Sequence, residues 1–269
     1  KSATLALEHL DEVPARFRKK VLESLPEAQE RAKVEMEFCK QKNIQVLIFS
    51  GEGYPARLRE CEDAPLVLFY RGVANLNEKR IISVVGTRKI SERGKSICQN
   101  FCKELATLIP DCVVVSGLAY GVDIHSHRAC LENSLPTVAV LAHGLDRIYP
   151  SLHRSTAIEM LNQGGLLTEF LSGTNPDKGN FVRRNRIVAG MSDATIVVES
   201  AAHGGAMITA RLAQGYGRDV FAFPGRVTDQ MSEGCLKLIK TNVAGLVTSA
   251  TDVLEAMNWT SVKLHTAPI

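Results

Sequence analysis

The sequence predicts an α/β protein with a doubly wound, mainly parallel sheet, preceded by a small N-terminal helical module. From Val46 onward, short runs rich in valine and isoleucine alternate with segments of helical length. The runs are apolar on both faces, which is typical of parallel strands that are covered by helices on each side. Because the crossovers between such strands are right-handed, ligands are expected at the carboxyl ends of the strands.

Apolar runs of strand length define the predicted sheet, and amphipathic segments define the helices between the strands. The strands are predicted over residues 81–85, 112–115, 137–141, 166–169, 194–199 and 219–223. The helices are predicted over residues 93–108, 123–132, 151–163, 185–191 and 207–216. This regular succession of strand and helix builds a doubly wound sheet.

The chain is predicted to comprise a helical module over residues 1–44, a main α/β domain over 45–255 and a tail over 256–269. In the module, apolar residues from Leu5 to Leu22 recur at helical spacing, and a charged stretch follows through Lys42. This segment is too short and too polar for a robust separate domain. We therefore interpret it as an appendage to one larger core.

The composition is that of an ordinary soluble globular protein, with 45% hydrophobic and 23% charged residues. The net charge of +3 is only mildly basic, so a nucleic-acid role depends on local clusters of arginine and lysine. The seven cysteines are dispersed without a CxxC pair, which favours reduced thiols in a cytoplasmic protein. No apolar run approaches the ~20 residues that span a bilayer, and no signal peptide is visible, so no membrane association is expected.

Two predicted strands are followed by loops of small and hydroxyl-bearing residues. One loop starts with Gly86 and the other spans Ser116–Asp123. Small residues at a strand-to-helix turn let backbone N–H groups approach an anion at the positive end of a helix. Glycines also serve tight turns without any ligand. The two loops together, with an arginine beside them, favour a phosphate cradle that is formed by Gly86, Thr87, Arg88, Ser116, Gly117 and Gly121.

The strongest cationic cluster runs from Lys178 to Arg186, between a predicted strand and a predicted helix. Arginine binds phosphate through paired hydrogen bonds, and an aromatic ring that stacks on a base contributes roughly 1–3 kcal/mol. We therefore expect Lys178, Arg184 and Arg186 to contact phosphates and Phe181 to stack on a base. The alternative is that Arg184 and Arg186 pair with acidic neighbours such as Glu169 and that Phe181 belongs to the core.

Signatures of cofactor binding and catalysis are missing from the sequence. Neither GxGxxG nor GxxxxGK[ST] occurs, which disfavours an oxidoreductase and an NTPase, so no cofactor is expected. Asp123, His125 and His127 alternate at the start of a helix, where positions two apart do not share a face, so no metal site is expected. Asp123 is interpreted as a helix N-cap. A Ser116–His127–Asp123 triad lacks a nucleophile elbow around the serine, and no catalytic residue is assigned.

An ordered series of motifs over residues 45–255 resembles the DNA-processing protein A family (DprA, also called Smf). Such a series is far more specific than any one motif. It comprises Tyr54-Pro55 with Leu58, Ala64-Pro65, Gly86-Thr87-Arg88, Ser116–Asp123, Tyr149-Pro150, Phe181 with Arg184-Asn185-Arg186-Ile187, Gly204-Gly205 with Thr209-Ala210, and Gly217–Gly225.

The resemblance implies a Rossmann-like domain that binds single-stranded DNA, forms a homodimer and helps to load the recombinase RecA during natural transformation. It implies that Arg88, Lys178 and Phe181 lie at positions that the family uses for DNA, with the Ser116-Gly117 loop holding phosphates. Such a protein would act by binding DNA in the cytoplasm, without covalent chemistry of its own.

A second hypothesis from a different class is a Rossmann-like hydrolase of nucleoside monophosphates, of the N-glycosidase type. It would use the same phosphate loops, with Glu199 or Asp123 as the acid–base residue. The PGGxGTxxE signature of those hydrolases is absent from the sequence, which favours the DNA-binding hypothesis.

Overall fold

The computed structural model describes residues 14–259, and the chain divides into two compact units, 1–44 and 45–269. The described part of the first unit is largely one helix, α1, Ala15–Gln41. Pro14 precedes it, at a position where a missing N–H removes no helical hydrogen bond. The residues predicted as helical before Pro14, and residues 260–269 of the predicted tail, lie outside the described residues.

Nine strands of the described residues form one sheet in the order β1-β2-β6-β5-β4-β3-β7-β8-β9. Strand β2 pairs antiparallel with both β1 and β6, whereas every other neighbouring pair is parallel. The predicted mainly parallel sheet is therefore confirmed. The strands are β1 Gln45–Ile48, β2 Val67–Gly72, β3 Ile81–Val85, β4 Val113–Ser116, β5 Thr137–Val140, β6 Gly165–Thr168, β7 Ala194–Val197, β8 Asp219–Ala222 and β9 Gly245–Leu246.

Helices of the second unit connect these strands and cover both faces of the sheet. They are α2 Ala56–Arg59, α3 Glu92–Leu108, α4 Val122–Glu132, α5 Arg154–Met160, α6 Lys178–Gly190, α7 Gly205–Gly215, α8 Glu233–Lys240 and α9 Ala250–Ala256. Short 3-10 turns at Ser151–His153 and Gln230–Ser232 precede α5 and α8. Within residues 14–259, no helix combines the length and the apolar character that crossing a membrane requires.

Strands β3 to β8 each contribute side chains to two cores, because successive residues of a strand point to opposite faces of the sheet. In β3, Ile81 and Val85 join the core that includes residues of α6, α7 and α8. Ile82 and Val84 join the core that includes residues of α3, α4 and α9. All residues of β3 are buried, which explains the continuous apolar run in the sequence.

Strand β3 lies at the topological switch point of the sheet. The chain builds β4 on one side of β3, continues through β6, and returns through α6 to add β7 on the other side. In open α/β sheets, the crevice outside the carboxyl ends of the strands at this point is where ligands bind. The loops after β3, β4 and β7 are thereby brought together.

Local predictions were wrong at two helices. Helix α6 begins at Lys178 and not at Asn185, so Lys178 and Phe181 lie in its first turn and not in the loop before it. Asp177 is the N-cap of this helix, and residues 178–184 contain one glycine and no proline to delay its start. The helix predicted over 151–163 is shorter, since a 3-10 turn replaces its first residues and the helix ends at Met160.

The antiparallel strands β1 and β2 were not predicted. Strand β1 lies at the edge of the sheet and has one buried residue, Leu47, so it carries too few apolar residues for a recognisable run. Strand β2 buries Leu68, Phe69 and Tyr70 in succession but ends in Arg71 and Gly72. Strand β1 therefore lacks the continuous apolar pattern that identified the parallel strands, whereas β2 belongs to such a run, Leu66–Tyr70, and could have been predicted.

Candidate nucleic-acid interface

A cleft of about 590 Å³ opens at the switch point, between the loops that follow β3, β4 and β7. The first turns of α6 and α7 form its other walls. Among the residues predicted to contact DNA, those that line the cleft are Gly86, Thr87, Arg88, Gly117, Lys178, Phe181 and Arg184. Ser116, Gly121 and Arg186 lie outside its lining.

The loops after β3 and β4 pack against each other through two glycines. Gly121 has a φ of +76°, and a Cβ atom there would lie 2.1 Å from the carbonyl oxygen of Thr87. A Cβ atom on Gly86 would lie 2.3 Å from a methyl carbon of Val122. The N–H of Val122 donates to the carbonyl oxygen of Thr87 at 3.1 Å. Both glycines are thus required by loop packing, which sets the position of Arg88.

Ser116 uses its hydroxyl inside the protein. The residue is fully buried, and its Oγ donates to the carbonyl oxygen of Val84 at 2.7 Å. Nδ1 of His127, which is also fully buried, lies 2.7 Å from Oγ1 of Thr137. Ser116 and His127 therefore have different partners. The sequence predicted that Ser116 contacts phosphate in the cleft, but its hydroxyl is bonded inside the protein.

The carboxylate of Asp123 fixes the conformation of the loop after β4. Its Oδ2 accepts hydrogen bonds from the N–H groups of Gly117 and Ala119 at 3.1 and 3.3 Å. The N-cap of α4 is Gly121, so the predicted N-cap role of Asp123 was wrong, because the carboxylate in the first turn reaches back to the loop. Burial raises the pKa of Asp123, although the Arg184 guanidinium and the loop N–H groups act in the opposite direction.

Arg184 is buried against the same loop. Its Nη1 donates to the carbonyl oxygen of Gly117 at 2.6 Å and also to that of Val140. Burial lowers the pKa of Arg184 to about 10, although the Asp123 carboxylate acts in the opposite direction. Nη1 thus joins the loop after β4 to the end of β5, and Nε donates to Oδ1 of Asn185 at 3.2 Å, so two of the three guanidinium nitrogens are occupied within the protein.

Arg186 pairs with an acidic neighbour, as the alternative interpretation stated. Its Nη2 lies 2.5 Å from Oε2 of Glu169, and its Nη1 donates to the carbonyl oxygen of Asp63. Arg183 contacts the same Glu169 oxygen at 2.7 Å. The Glu169 side chain is buried, so both arginines neutralise a carboxylate at the end of β6.

Arg88, Lys178 and Phe181 form the cationic and aromatic part of the cleft. Arg88 and Lys178 are exposed, and neither pairs with a carboxylate among residues 14–259. The guanidinium carbon of Arg88 lies 4.9 Å from the centroid of the Phe181 ring. Lys178 and Phe181 are three residues apart in α6 and therefore neighbours on one helix face. These side chains provide positive charge beside an aromatic surface.

The first turn of α7 lines the cleft with glycine. Its N-cap is Gly204, which supplies no side-chain cap, and its first turn holds no acidic residue. Gly204 and Gly205 are exposed, and both line the cleft. A helix N-terminus carries the positive end of the helix dipole and free N–H groups, so this turn adds to the positive character of the cleft.

Tyr149 was not assigned to the site from the sequence, but it lies beside Phe181. The centroids of the two rings are 5.9 Å apart, with an interplanar angle of 55°. The residue follows β5, whose carboxyl end lies at the same edge of the sheet as the cleft. The signal that identifies it is an aromatic residue in a loop after a parallel strand.

The fold and the cleft define a class: Rossmann-like α/β proteins that present positive charge and an aromatic ring at the switch point of a parallel sheet. The sequence profile of the family described as DNA recombination-mediator protein A matches residues 45–258. The chain therefore belongs to the DNA recombination-mediator protein A family, and the resemblance noted in its motifs is confirmed.

Relatives and solved structures agree with this assignment. The chain is 39% identical over 223 residues to the DNA processing protein DprA of Streptococcus pneumoniae, covering 83% of this chain and 77% of that protein. It is 38% identical over 241 residues to protein Smf of Escherichia coli, covering 88% of this chain but 64% of that protein. The X-ray structure of the Streptococcus pneumoniae protein aligns with a TM-score of 0.76 at 36% identity, covering 83% and 78% of the two chains.

DNA processing protein A from Helicobacter pylori, whose structure was described with its single-stranded DNA binding mode, is also similar. It aligns with a TM-score of 0.72 at 28% identity. The match covers 80% of this chain and 96% of that chain.

Proposed function

We propose that this chain binds single-stranded DNA in the cleft, and the contact between Arg88 and Phe181 carries the proposal. Exposed cations such as Arg88 and Lys178 form charge-assisted hydrogen bonds with phosphates. A base that stacks on Phe181 contributes roughly 1–3 kcal/mol. Since a duplex keeps its bases stacked on one another, a site of this kind favours a single strand.

The other residues that were predicted to bind DNA support the cleft from within the protein. Gly86 and Gly121 let the two loops pack closely, and Thr87 leads directly into Arg88. Ser116, Gly117, Arg184 and Arg186 hold the walls of the cleft through contacts within the protein. In this proposal their role is to keep Arg88, Lys178 and Phe181 in place, and they do not touch the DNA.

We further propose that the chain is a recombination mediator that loads RecA onto incoming single-stranded DNA during natural transformation. The support is its family membership together with the DNA-binding mode described for the Helicobacter pylori relative. Residues 45–255 would form the DNA-binding domain and residues 1–44 an appended helical module. A homodimer would place two clefts on one strand and gain affinity through effective concentration. Because RecA acts on incoming DNA in the cytoplasm, the proposed function is a cytoplasmic one.

The proposed activity is binding and not hydrolysis. Glu199 is 4% exposed, and its carboxylate accepts hydrogen bonds from the N–H of Ser91 at 2.9 Å and from the hydroxyl of the same residue. The Asp123 carboxylate accepts two loop N–H groups. Both carboxylates that an N-glycosidase would use are thus engaged in holding backbone, which supports a binding role.

The first experiment measures fluorescence anisotropy of labelled oligo-dT, and of a duplex of equal length, across a range of salt concentrations. We expect salt-sensitive binding that favours the single strand. Arg88→Ala, Lys178→Ala and Phe181→Ala should each weaken the binding of oligo-dT without changing the melting temperature greatly. Lys103→Ala is the matched control, because Lys103 is an exposed lysine of α3, which packs on the other face of the sheet.

If the Arg88, Lys178 and Phe181 variants all bind oligo-dT with unchanged affinity, the DNA does not bind in this cleft. Absence of binding at low salt would contradict the proposal as a whole. In that case, release of free base from a nucleoside monophosphate by the wild-type chain would favour the hydrolase.

A further inference from the structure

The ring of Phe181 has two flat neighbours, the guanidinium of Arg88 and the ring of Tyr149. The guanidinium of Arg88 lies over its ring at 4.9 Å, and the ring of Tyr149 lies 5.9 Å from it at an angle of 55°. Tyr149 is an exposed residue, with 45% of its surface open to solvent. Its hydroxyl makes no hydrogen bond with the described residues. Tyr149 thus adds open aromatic surface at the edge of the cleft.

The space between Arg88 and Phe181 is too narrow for a base. Flat groups in contact lie roughly 3.5 Å apart, so a base between two groups needs about 7 Å. The observed separation of 4.9 Å leaves room for the direct contact alone. A base that binds while this contact persists must therefore use aromatic surface that Arg88 does not cover.

The loop that carries Tyr149 is fixed in position. Nε2 of the buried His143 accepts a hydrogen bond from the N–H of Tyr149 at 3.2 Å, and its Nδ1 donates to the carbonyl oxygen of Gly144 at 2.9 Å. Further along the loop, Oδ1 of Asp146 accepts from the N–H of Gly173 at 3.0 Å. An aromatic ring on a fixed backbone loses little conformational entropy when it binds a ligand.

We propose that Tyr149 is a second stacking platform of the cleft, which holds the base of a nucleotide next to the one held at Phe181. The inference rests on the proposed binding of single-stranded DNA and extends it by one nucleotide, toward the loop after β5. Arg88 then stays with Phe181 and its outward N–H groups bind the phosphate between the two nucleotides.

The test compares two oligomers of equal length, oligo-dT and an oligomer in which every sugar is abasic. Both carry the same phosphates, so a residue that stacks on bases affects only the first. Tyr149→Ala should weaken the binding of oligo-dT about tenfold and leave the affinity for the abasic oligomer unchanged. Tyr149→Phe keeps the ring and should bind oligo-dT as the wild type does.

Tyr120→Ala is the matched control. Tyr120 is the other exposed tyrosine of the described residues, at 41%, but its ring contacts His153 and not Phe181. It should leave the affinities for both oligomers unchanged. An equal effect of Tyr120→Ala would mean that loss of any exposed tyrosine weakens binding, and that result would overturn the inference.

The outcomes separate this inference from the function on which it rests. If wild type binds oligo-dT and Phe181→Ala weakens it while Tyr149→Ala does not, the second platform is wrong and the proposed function stands. If Tyr149→Ala weakens both oligomers alike, Tyr149 is a structural residue of its loop and the inference is overturned. If wild type binds neither oligomer, the proposed function and the inference fail together.

Discussion

The guanidinium of Arg184 packs directly against Gly117, in the loop after β4. Nη1 of Arg184 donates to the carbonyl oxygen of Gly117 at 2.6 Å, and a Cβ atom on residue 117 would lie 2.3 Å from the same nitrogen. Any side chain at position 117 therefore displaces the guanidinium. Because the guanidinium is buried, its displacement leaves polar groups without partners, which is costly.

The first prediction concerns the stability of this arrangement. Gly117→Ala should lower the free energy of unfolding by about 1–3 kcal/mol, as overpacking of a buried site does. Gly215→Ala is the control, because a Cβ atom on Gly215, which lies in α7, would have no neighbouring atom within 4 Å. Urea denaturation of the two variants measures the difference. Equal stability of the two variants would contradict the close fit of Arg184 against Gly117.

The second prediction concerns the contact between the loops after β3 and β4. Gly121 and Gly217 both have positive φ, so alanine costs about 1–2 kcal/mol of backbone strain at either position. Only at Gly121 would the new Cβ atom meet a neighbour, the Thr87 carbonyl oxygen, at 2.1 Å. Gly121→Ala should therefore displace Arg88 and weaken the binding of oligo-dT several-fold, whereas Gly217→Ala should not.

Anisotropy titrations of both variants at one salt concentration provide this comparison. A Gly121→Ala variant that melts like Gly217→Ala and binds oligo-dT like the wild type would show that the loop contact does not position Arg88.

The third prediction concerns phosphate contact by Lys178. For single strands, the logarithm of the binding constant falls with the logarithm of the salt concentration by about 0.7 per neutralised phosphate. Lys178→Gln should reduce this slope by about 0.7, because one such contact is lost. Lys103→Gln, which changes an exposed lysine of α3, should leave the slope unchanged. Weaker binding with an unchanged slope would show that Lys178 does not contact a phosphate.

The parallel sheet was predictable because its strands are buried on both faces. Strand β3 contains no exposed residue, so its run of apolar side chains is unmistakable in the sequence. Strand β1 lies at the edge and Leu47 is its one buried residue, so no such run exists. The sequence thus identifies strands that are buried on both faces, whereas an edge strand with a single buried side chain leaves no apolar run.

The sequence predicted the location of the site better than the contacts that its residues make. Loops after strands were expected at the carboxyl edge, and Gly86, Arg88 and Lys178 do meet in one cleft. Arginine in the sequence does not reveal its partner, however, and Arg184 binds backbone carbonyls that are distant along the chain. Tyr149 follows a parallel strand, which places it at the same edge of the sheet, but only the fold brings its ring within 5.9 Å of Phe181.

The last prediction concerns the pH dependence of stability through His127. Burial lowers the pKa of His127 from 6.5 to about 3. Its Nδ1 lies 2.7 Å from Oγ1 of Thr137, and its buried Nε2 has no hydrogen-bond partner among the described residues. The folded protein therefore keeps this imidazole neutral, whereas the unfolded chain protonates it below pH 6.5.

A lowered pKa in the folded state means that the unfolded chain binds more protons as the pH falls from 6.5 toward 3. The stability that is present above pH 6.5 is lost over this range, by about 2 kcal/mol between pH 7 and pH 5 for His127 alone. Burial also lowers the pKa of His125, His143 and His153, so these residues add to the wild-type loss. His127→Gln removes one contribution and keeps a polar group near Thr137. Urea denaturation at both pH values should therefore show a smaller loss in this variant than in the wild type, and an equal loss would mean that His127 does not stay neutral in the folded protein.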